Sequence, residues 1–179
     1  MSRAWPTRSS ASATKRLIKE LDAWRRDQHD EPGIERLGPV REDNLLEWEA
    51  VINGRGVGSG YDGGRWLVAV SIPAAYPLQP PGVRFVTPVV HPNIALHTGE
   101  ICLDLLKEAW TPAYSVLECL RAVRVLLGCP EPDSPLNVDA AALLRGGDVV
   151  GSRRLVECWC ADGGRFVGLR AWVVLRLVA

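Results

Sequence analysis

Cys102 lies within residues 89–114, a stretch too apolar and aromatic to be an idle linker. A cysteine thiolate is the best side-chain nucleophile near neutral pH, and a thioester keeps its acyl group activated for a second transfer. His91 and Asn93 precede Cys102 in the same stretch. In a hydrolase a nearby histidine would activate the thiol, whereas an acyl carrier needs a cysteine that accepts and releases. The spacing alone does not say whether His91 reaches the sulfur, so both chemistries stay open.

Two other patterns suggest chemistry that their residues do not support. Cys158 and Cys160 have no second cysteine–histidine pair nearby, so they fall short of a tetrahedral zinc site and no metal is expected. Six glycines lie within residues 54–64. A phosphate-binding glycine loop needs a strand before it and a helix after it, with Gly-Lys-Ser/Thr in the P-loop form. Here a strand pattern follows and the lysine is absent, so we expect a hairpin connection.

The composition excludes several classes of protein. The chain has 179 residues, 47% of them hydrophobic, which suits one globular domain. Its 21 basic and 21 acidic residues cancel, so no general field attracts nucleic acid, and no nucleic-acid partner is expected. The five cysteines form an odd set without the regular spacing of a disulfide framework, and the N-terminus has no apolar secretion signal. We therefore expect a reducing compartment.

The elements that must position Cys102 follow from the periodicity. An amphipathic helix is predicted from Thr14, with Leu17, Leu21 and Trp24 on one stripe and Ile18 beside it. Its basic residues are expected to face outward: Lys15, Arg16, Lys19, Arg25 and Arg26.

Strands and further helices follow that first helix. Apolar and alternating patterns predict strands at residues 45–52, 65–72 and 83–86. Ser115 and Glu118 form a capping box for a helix that Gly128 would cap. Two more helices are predicted, at residues 138–145 and 149–162. The order of elements predicts an α+β fold.

The two ends of the chain are expected to lie outside this domain. Residues 1–13 are rich in serine, alanine and arginine, and we expect a disordered leader. Residues 166–179 are an apolar tail of unknown role, and as a helix they would reach only about 21 Å against a hydrocarbon core of about 30 Å. The tail is therefore not expected to span a membrane, and residues 14–165 are expected to form the catalytic domain.

The sequence around Cys102 closely resembles the active-site signature of the ubiquitin-conjugating enzymes. The matching residues are His91-Pro92-Asn93-Ile94 and, four residues later, Gly99 to Leu105. Further matches extend the resemblance over about residues 14–162: Tyr61 with Gly63-Gly64, Tyr76-Pro77 with Pro80-Pro81, and Trp110 with Pro112. The resemblance implies a four-stranded antiparallel meander packed against helices.

The resemblance also implies an activity and the roles of its residues. Cys102 would accept ubiquitin from the activating enzyme as a thioester and pass it to a protein acceptor, with no cofactor in this subunit. His91 would brace the active-site loop, and the Asn93 amide would support the loop or the developing oxyanion. Asp104 would lie at the mouth of the site.

The residues expected to face the group that accepts ubiquitin depart from the family pattern. Ser134 stands where family members often place an acid, although neighbouring Asp133 is an alternative. A free lysine has a pKa of about 10.4 and a free cysteine about 8.5. A thiol acceptor therefore loses its proton more easily and needs less help from a base in the site. Residues 130–148 most resemble the peroxisomal members of the family. That resemblance implies transfer to a cysteine of a peroxisomal import receptor, and recruitment to the cytosolic face of the peroxisome by a membrane-anchored peroxin.

The resemblance assigns two binding surfaces as well. Lys15, Arg16 and Lys19 match the contacts with the activating enzyme, although the residues alone would suggest an ordinary solvated face. Leu78, Pro112 and Ala113 match the apolar surface that meets RING-type ligases, unless Leu78 is simply buried.

Two alternatives to an active conjugating enzyme remain. A catalytically inactive variant of the same fold would only present ubiquitin or a ligase, and a Cys-His hydrolase would cleave ubiquitin esters. Retention of Cys102, Asn93 and the loop that contains Tyr76-Pro77 and Pro80-Pro81, called the proline loop below, argues against the first. The missing local signatures of cysteine hydrolases argue against the second.

Overall fold

The strands of the sheet lie side by side in the order in which they follow along the chain. The computed structural model describes residues 11–162, which form an α+β fold as predicted. The antiparallel sheet contains β1 (Ile34–Arg41), β2 (Asn44–Asn53), β3 (Arg65–Ser71) and β4 (Gly82–Phe85). The meander that the family resemblance implied is confirmed, and so is the glycine-rich hairpin between β2 and β3.

Strand β1 was not indicated by the local sequence pattern. It contains Gly38 and Pro39, which weaken a strand signal because glycine adds backbone freedom and proline lacks an N–H donor. The strand lies at the edge of the sheet, where a missing donor on the outer side costs little, and its pairing with β2 shifts register between Pro39 and Arg41. Pairing with β2, rather than local propensity, therefore defines β1.

Helix α1 (Ala11–Asp27) packs its apolar stripe against the sheet. It begins three residues earlier than Thr14, and Ala13 is fully buried, so residues 11–13 belong to the domain rather than to a leader. The rest of the predicted leader, and the predicted tail at 166–179, lie outside the described residues. Leu17 and Trp24 are buried as expected, but Ile18 is 46% exposed. Within residues 11–162 no helix is long and apolar enough to cross a membrane.

Helix α2 (Val116–Gly128) contributes buried residues to the main hydrophobic core and contacts α1. Both hydrogen bonds of the predicted capping box are present between Ser115 and Glu118. Gly128 is the last helical residue and Cys129 is the cap, which corrects the assignment of Gly128 as the cap. The helix buries one side in the core that the sheet also lines, through Val116, Cys119, Leu120, Val123, Leu126 and Leu127. Helices α3 (Val138–Arg145) and α4 (Val149–Ala161) follow, each capped at its N-terminus by an asparagine or aspartate side chain.

The irregular stretch between β4 and α2 is anchored to the sheet edge. Isolated bridges join Arg84 to Glu100 and Ile94 to Ile101, and the Phe85 amide donates to the Gly99 carbonyl. Gly99 has a φ of 71°, and a Cβ there would lie 1.9 Å from the carbonyl oxygen of Phe85. Only glycine allows this close approach. The turn at Gly99 therefore returns the chain toward residue 94 and brings the Cys102 amide to the carbonyl of Asn93.

Candidate active site

Cys102 is half-buried at the rim of this irregular stretch. Its amide donates to the carbonyl of Asn93 at 2.9 Å, which fixes the backbone beside the thiol. The neighbouring side chain of Ile101 is buried in the core. The sulfur lies 3.8 Å from the hydroxyl oxygen of Ser134, in the loop after α2. The thiol thus sits on an anchored backbone but remains accessible from one side.

His91 is fully buried and both of its ring nitrogens are occupied. Nδ1 accepts from the Asn93 amide at 3.0 Å, so the proton is assigned to Nε2, which donates to the carbonyl of Leu126 at 2.9 Å. Burial lowers the pKa of His91 to about 4. A neutral ring with neither nitrogen directed at sulfur is not the activating base of a hydrolase. The geometry therefore removes the chemistry in which His91 activates Cys102.

Asn93 uses its whole side-chain amide to hold a second loop. Its Nδ2 donates to the carbonyls of Glu131 and Ser134, at 2.7 and 3.0 Å, and its Oδ1 accepts from the Glu131 amide at 2.8 Å. Both amide protons are engaged. These hydrogen bonds are the ones that the implied role in loop support would use, and the implied support of the oxyanion stays a prediction. We call His91, Asn93 and the backbone groups they bind the active-site frame.

The acceptor side of the thiol is open and polar. Ser134 and Asp133 are both exposed on the loop that Asn93 holds, and the Ser134 hydroxyl is within 3.8 Å of the sulfur. Asp104 is exposed at the start of a 3₁₀ turn, Asp104–Leu106, which begins two residues after Cys102. The structure thus brings Ser134 to Cys102 and leaves Asp133 and Asp104 facing solvent nearby.

Sequence reasoning missed the partners that complete the frame. The carbonyl of Leu126 and the backbone of Glu131 bind His91 and Asn93 from far along the chain. These are main-chain groups, so no residue type marked them. The Tyr61 hydroxyl also holds the backbone next to His91, since it donates to the Val90 carbonyl at 2.7 Å. Burial raises the pKa of Tyr61, so the hydroxyl keeps the proton that it donates.

The basic face of α1 differs from the prediction at one residue. Lys15 and Lys19 are exposed, as expected. Arg16 instead turns inward and is half-buried: its Nε lies 2.5 Å from a carboxylate oxygen of Glu20, and its terminal nitrogens donate to the carbonyls of Pro112 and Tyr114. The predicted outward placement of Arg16 was wrong because its guanidinium pairs with the partly buried carboxylate of Glu20, one helical turn away.

The apolar residues implied to meet a ligase lie on two adjacent loops. Leu78 is 77% exposed, which excludes its burial, and Pro112 and Ala113 are exposed as well. Half-buried Trp110 joins the two loops by donating from Nε1 to the carbonyl of Pro77 at 2.8 Å. We call Leu78, Pro112 and Ala113 the apolar platform.

The remaining cysteines and histidines form no second site within residues 11–162. Cys119 is buried in the core, where burial raises the pKa of its thiol to about 12. Burial also raises the pKa of Cys160 to about 11, whereas Cys129 and Cys158 are exposed. Across this described part of the chain, no group of three or more His, Cys, Asp or Glu residues is placed to hold a metal.

Comparison with known proteins agrees with this geometry. Residues 16–153 match the model of the family described as ubiquitin-conjugating enzyme. The chain belongs to this family. It is therefore a ubiquitin-conjugating transferase, an E2.

The relatives narrow the position of the chain within the family. It is 75% identical over 154 residues to the ubiquitin-conjugating enzyme E2 PEX4 of Gibberella zeae, covering 86% of this chain and 90% of that protein. It is 44% identical to the protein PEROXIN-4 of Arabidopsis thaliana over 144 residues, covering 80% of this chain and 90% of that one. These relatives are named as conjugating enzymes or peroxins, so the catalytically inactive variant is not favoured.

Among solved structures, one similar chain is the H. polymorpha ubiquitin-conjugating enzyme Pex4p, determined in complex with the soluble domain of Pex22p. The TM-score is 0.80 at 36% sequence identity, with 86% of this chain and 98% of that chain covered. This likeness supports the same fold.

Proposed function

We propose that this E2 carries ubiquitin on Cys102 to an import receptor of the peroxisome. The observation that carries the catalytic part is a half-buried thiol whose backbone amide is bound by the Asn93 carbonyl. Asn93 itself is held by two buried side chains with all their polar atoms bonded, its own amide and the His91 ring. The peroxisomal part is supported by the PEX4 relative that is 75% identical. Placement at the cytosolic face of the peroxisomal membrane belongs to the same proposal.

The thioester chemistry needs only the thiol and its surroundings. The Cys102 thiolate attacks the carbonyl carbon of ubiquitin held by the activating enzyme, a new C–S bond forms, and the activating enzyme's thiolate leaves. In the second step the acceptor attacks the same carbon and the Cys102 thiolate leaves. His91 takes no proton in either step, since its nitrogens bind Leu126 and Asn93. The active-site frame instead holds the backbone at Cys102 and the loop that contains Ser134 at a constant separation.

The acceptor is a cysteine thiol in this proposal. The Ser134 hydroxyl lies 3.8 Å from the Cys102 sulfur, and a hydroxyl is a poor base. An attacking lysine must lose a proton with a pKa of about 10.4, whereas a thiol must lose one of about 8.5. A site without an acid at this position therefore favours the acceptor that is easier to deprotonate.

Three protein partners complete the proposal. Lys15 and Lys19, exposed one turn apart on α1, contact the activating enzyme, and the apolar platform contacts a RING-type ligase. A membrane-anchored peroxin recruits the enzyme, as supported by the Pex22p complex of the similar Pex4p chain.

Single-turnover discharge tests the acceptor class. Cys102 thioester is formed, the activating enzyme is stopped, and free cysteine or free lysine is added at matched pH. Faster discharge to cysteine than to lysine, relative to a lysine-directed E2 run in parallel, supports the proposal. Equal or faster discharge to lysine on that scale contradicts the thiol acceptor.

A further inference from the structure

The carboxylate of Glu20, on α1, is the point at which three segments of the chain meet. Its Oε1 accepts from Arg16 Nε at 2.5 Å and from the Tyr76 hydroxyl at 2.6 Å. Its Oε2 accepts from the amide of Val116 at 2.9 Å. The side chain is only 11% exposed. Hydrogen bonds to an ionised, largely desolvated acceptor are stronger than neutral ones, so this carboxylate joins α1, the proline loop and the start of α2 firmly.

Arg16 extends the cluster to the loop before α2. Its two terminal nitrogens donate to the carbonyls of Pro112 and Tyr114, at 3.0 and 2.7 Å. These carbonyls lie on either side of Ala113, which is exposed. The rigid fork of a guanidinium holds both at once. The position of one half of the apolar platform therefore depends on Arg16, and the position of Arg16 depends on Glu20.

Tyr76 extends the cluster to the other half. It is buried and lies two residues before exposed Leu78. Its ring lies 5.9 Å from that of Trp110, centroid to centroid, and Trp110 donates to the carbonyl of Pro77. Burial and the bond to Glu20 raise the pKa of Tyr76, so its hydroxyl remains a donor at neutral pH. The proline loop is thus tied to the same carboxylate as Ala113.

We propose that Glu20 is a positioning residue for ligase-stimulated transfer, because it fixes the Leu78 loop and the Ala113 loop relative to each other. This inference rests on the proposed function, since the ligase surface is part of that proposal. The hydrogen bonds of Glu20 run to α1, the proline loop and α2, and among residues 11–162 none of them reaches the active-site frame. Loss of the carboxylate should therefore weaken the response to a ligase without slowing intrinsic discharge.

Glu20→Gln is the informative change. The amide keeps one acceptor oxygen, but its NH₂ end must face either the Arg16 and Tyr76 donors or the Val116 amide. At least one buried donor then lacks an acceptor. Glu157→Gln is the matched control, because Glu157 also pairs with an arginine four residues earlier, at 2.7 Å, on the exposed surface of α4.

The measurement is single-turnover discharge of the Cys102 thioester to free cysteine. It is made without ligase and with increasing concentrations of an isolated RING domain that accelerates the wild-type reaction. For Glu20→Gln we expect the RING concentration that gives half-maximal stimulation to rise about tenfold. A change of this size corresponds to the loss of one charge-assisted hydrogen bond. Charging and intrinsic discharge should stay at wild-type rates, and Glu157→Gln should match wild type throughout.

Several results would overturn the inference. A wild-type RING response in Glu20→Gln would do so, and so would a parallel loss of intrinsic and stimulated discharge, which indicates a general structural role. If Glu20→Gln does not fold, Tyr76→Phe removes only the hydroxyl bond and should raise the half-maximal concentration roughly threefold. A charged wild-type enzyme that no RING domain accelerates overturns the ligase surface and this inference together. Failure of the wild type to charge would instead contradict the catalytic proposal.

Discussion

The active-site frame and the apolar platform hold their parts in opposite ways. In the frame, neutral side chains bind main-chain groups: His91 binds Leu126, and Asn93 binds Glu131 and Ser134. At the platform, the exposed residues are held from behind by a charged carboxylate and a guanidinium on α1. The side chains of the frame are neutral, so they add no fixed charge beside the thiol. At the platform, the charged pair of Glu20 and Arg16 holds loops whose outer residues are exposed. Changes to the two regions should therefore have separable effects.

The largest effect is expected from Asn93→Ala. The change leaves the Glu131 amide and the carbonyls of Glu131 and Ser134 without their partner, each loss costing about 1–3 kcal/mol if the group stays buried. A loop displaced by about 1 Å can cost roughly 10²-fold in rate. We expect discharge to fall by that order, together with the free energy of unfolding.

Asn53→Ala is the control for that change. Asn53 is also buried, and its amide binds the Pro32 carbonyl and the Glu35 carboxylate rather than the thiol region. It should lose stability but keep its rate of discharge. If Asn93→Ala slowed discharge with no loss of stability, the amide would act on the reacting atoms and the frame would be the wrong description.

The neutrality of His91 predicts how stability depends on pH. The unfolded chain binds a proton at this ring below about pH 6.5, whereas the folded protein does so only below about pH 4. Stability from His91 is therefore complete above the unfolded pKa and is lost as pH falls toward 4, by about 3 kcal/mol in total. Urea unfolding of wild type and His91→Gln at several pH values measures it. Parallel pH profiles for the two proteins would contradict a neutral, buried ring.

A change at Leu78 in the apolar platform should affect ligase-stimulated discharge and leave intrinsic discharge, which depends on the frame, unchanged. Leu78→Ala removes the most exposed large apolar side chain of the described chain. We expect the half-maximal RING concentration to rise about tenfold, as for a central interface residue, with intrinsic discharge unchanged. Val40→Ala, another exposed apolar residue, on β1, is the control and should have no effect. Equal behaviour of the two variants would remove Leu78 from the ligase surface.

The smallest change in discharge rate is expected from a substitution at Ser134, next to the Cys102 sulfur. Ser134→Asp places a carboxylate near the Cys102 sulfur, where it can orient or deprotonate an amine. We expect discharge to lysine to rise roughly threefold and discharge to cysteine to stay within that factor. Asp133→Asn, measured alongside, should leave lysine discharge unchanged. A loss of lysine discharge in Asp133→Asn would show that Asp133 already supplies the acid.

The contrast between the two regions also explains what the sequence predicted. The fixed spacing of His91, Asn93 and Cys102 identified the active site, because those residue types carry the chemistry themselves. The periodic helices and the capping box at Ser115 were predictable because their interactions are local.

What could not be predicted depends on contacts between distant segments. Strand β1 forms through pairing with β2 despite Gly38 and Pro39. The main-chain partners of Asn93 lie 38 and 41 residues away and carry no residue signature. Arg16 turned inward because Glu20 receives donors from two other segments, Tyr76 and Val116, and only the tertiary fold brings these together.

Charging of Cys102 tests the central claim most directly. The protein is incubated with activating enzyme, ubiquitin and ATP, and its adducts are resolved with and without reductant. We expect a reductant-sensitive ubiquitin adduct on the wild type, a reductant-resistant oxyester on Cys102→Ser, and no adduct on Cys102→Ala. A wild-type protein that forms no reductant-sensitive adduct, or a Cys102→Ala variant that still forms one, would contradict the account.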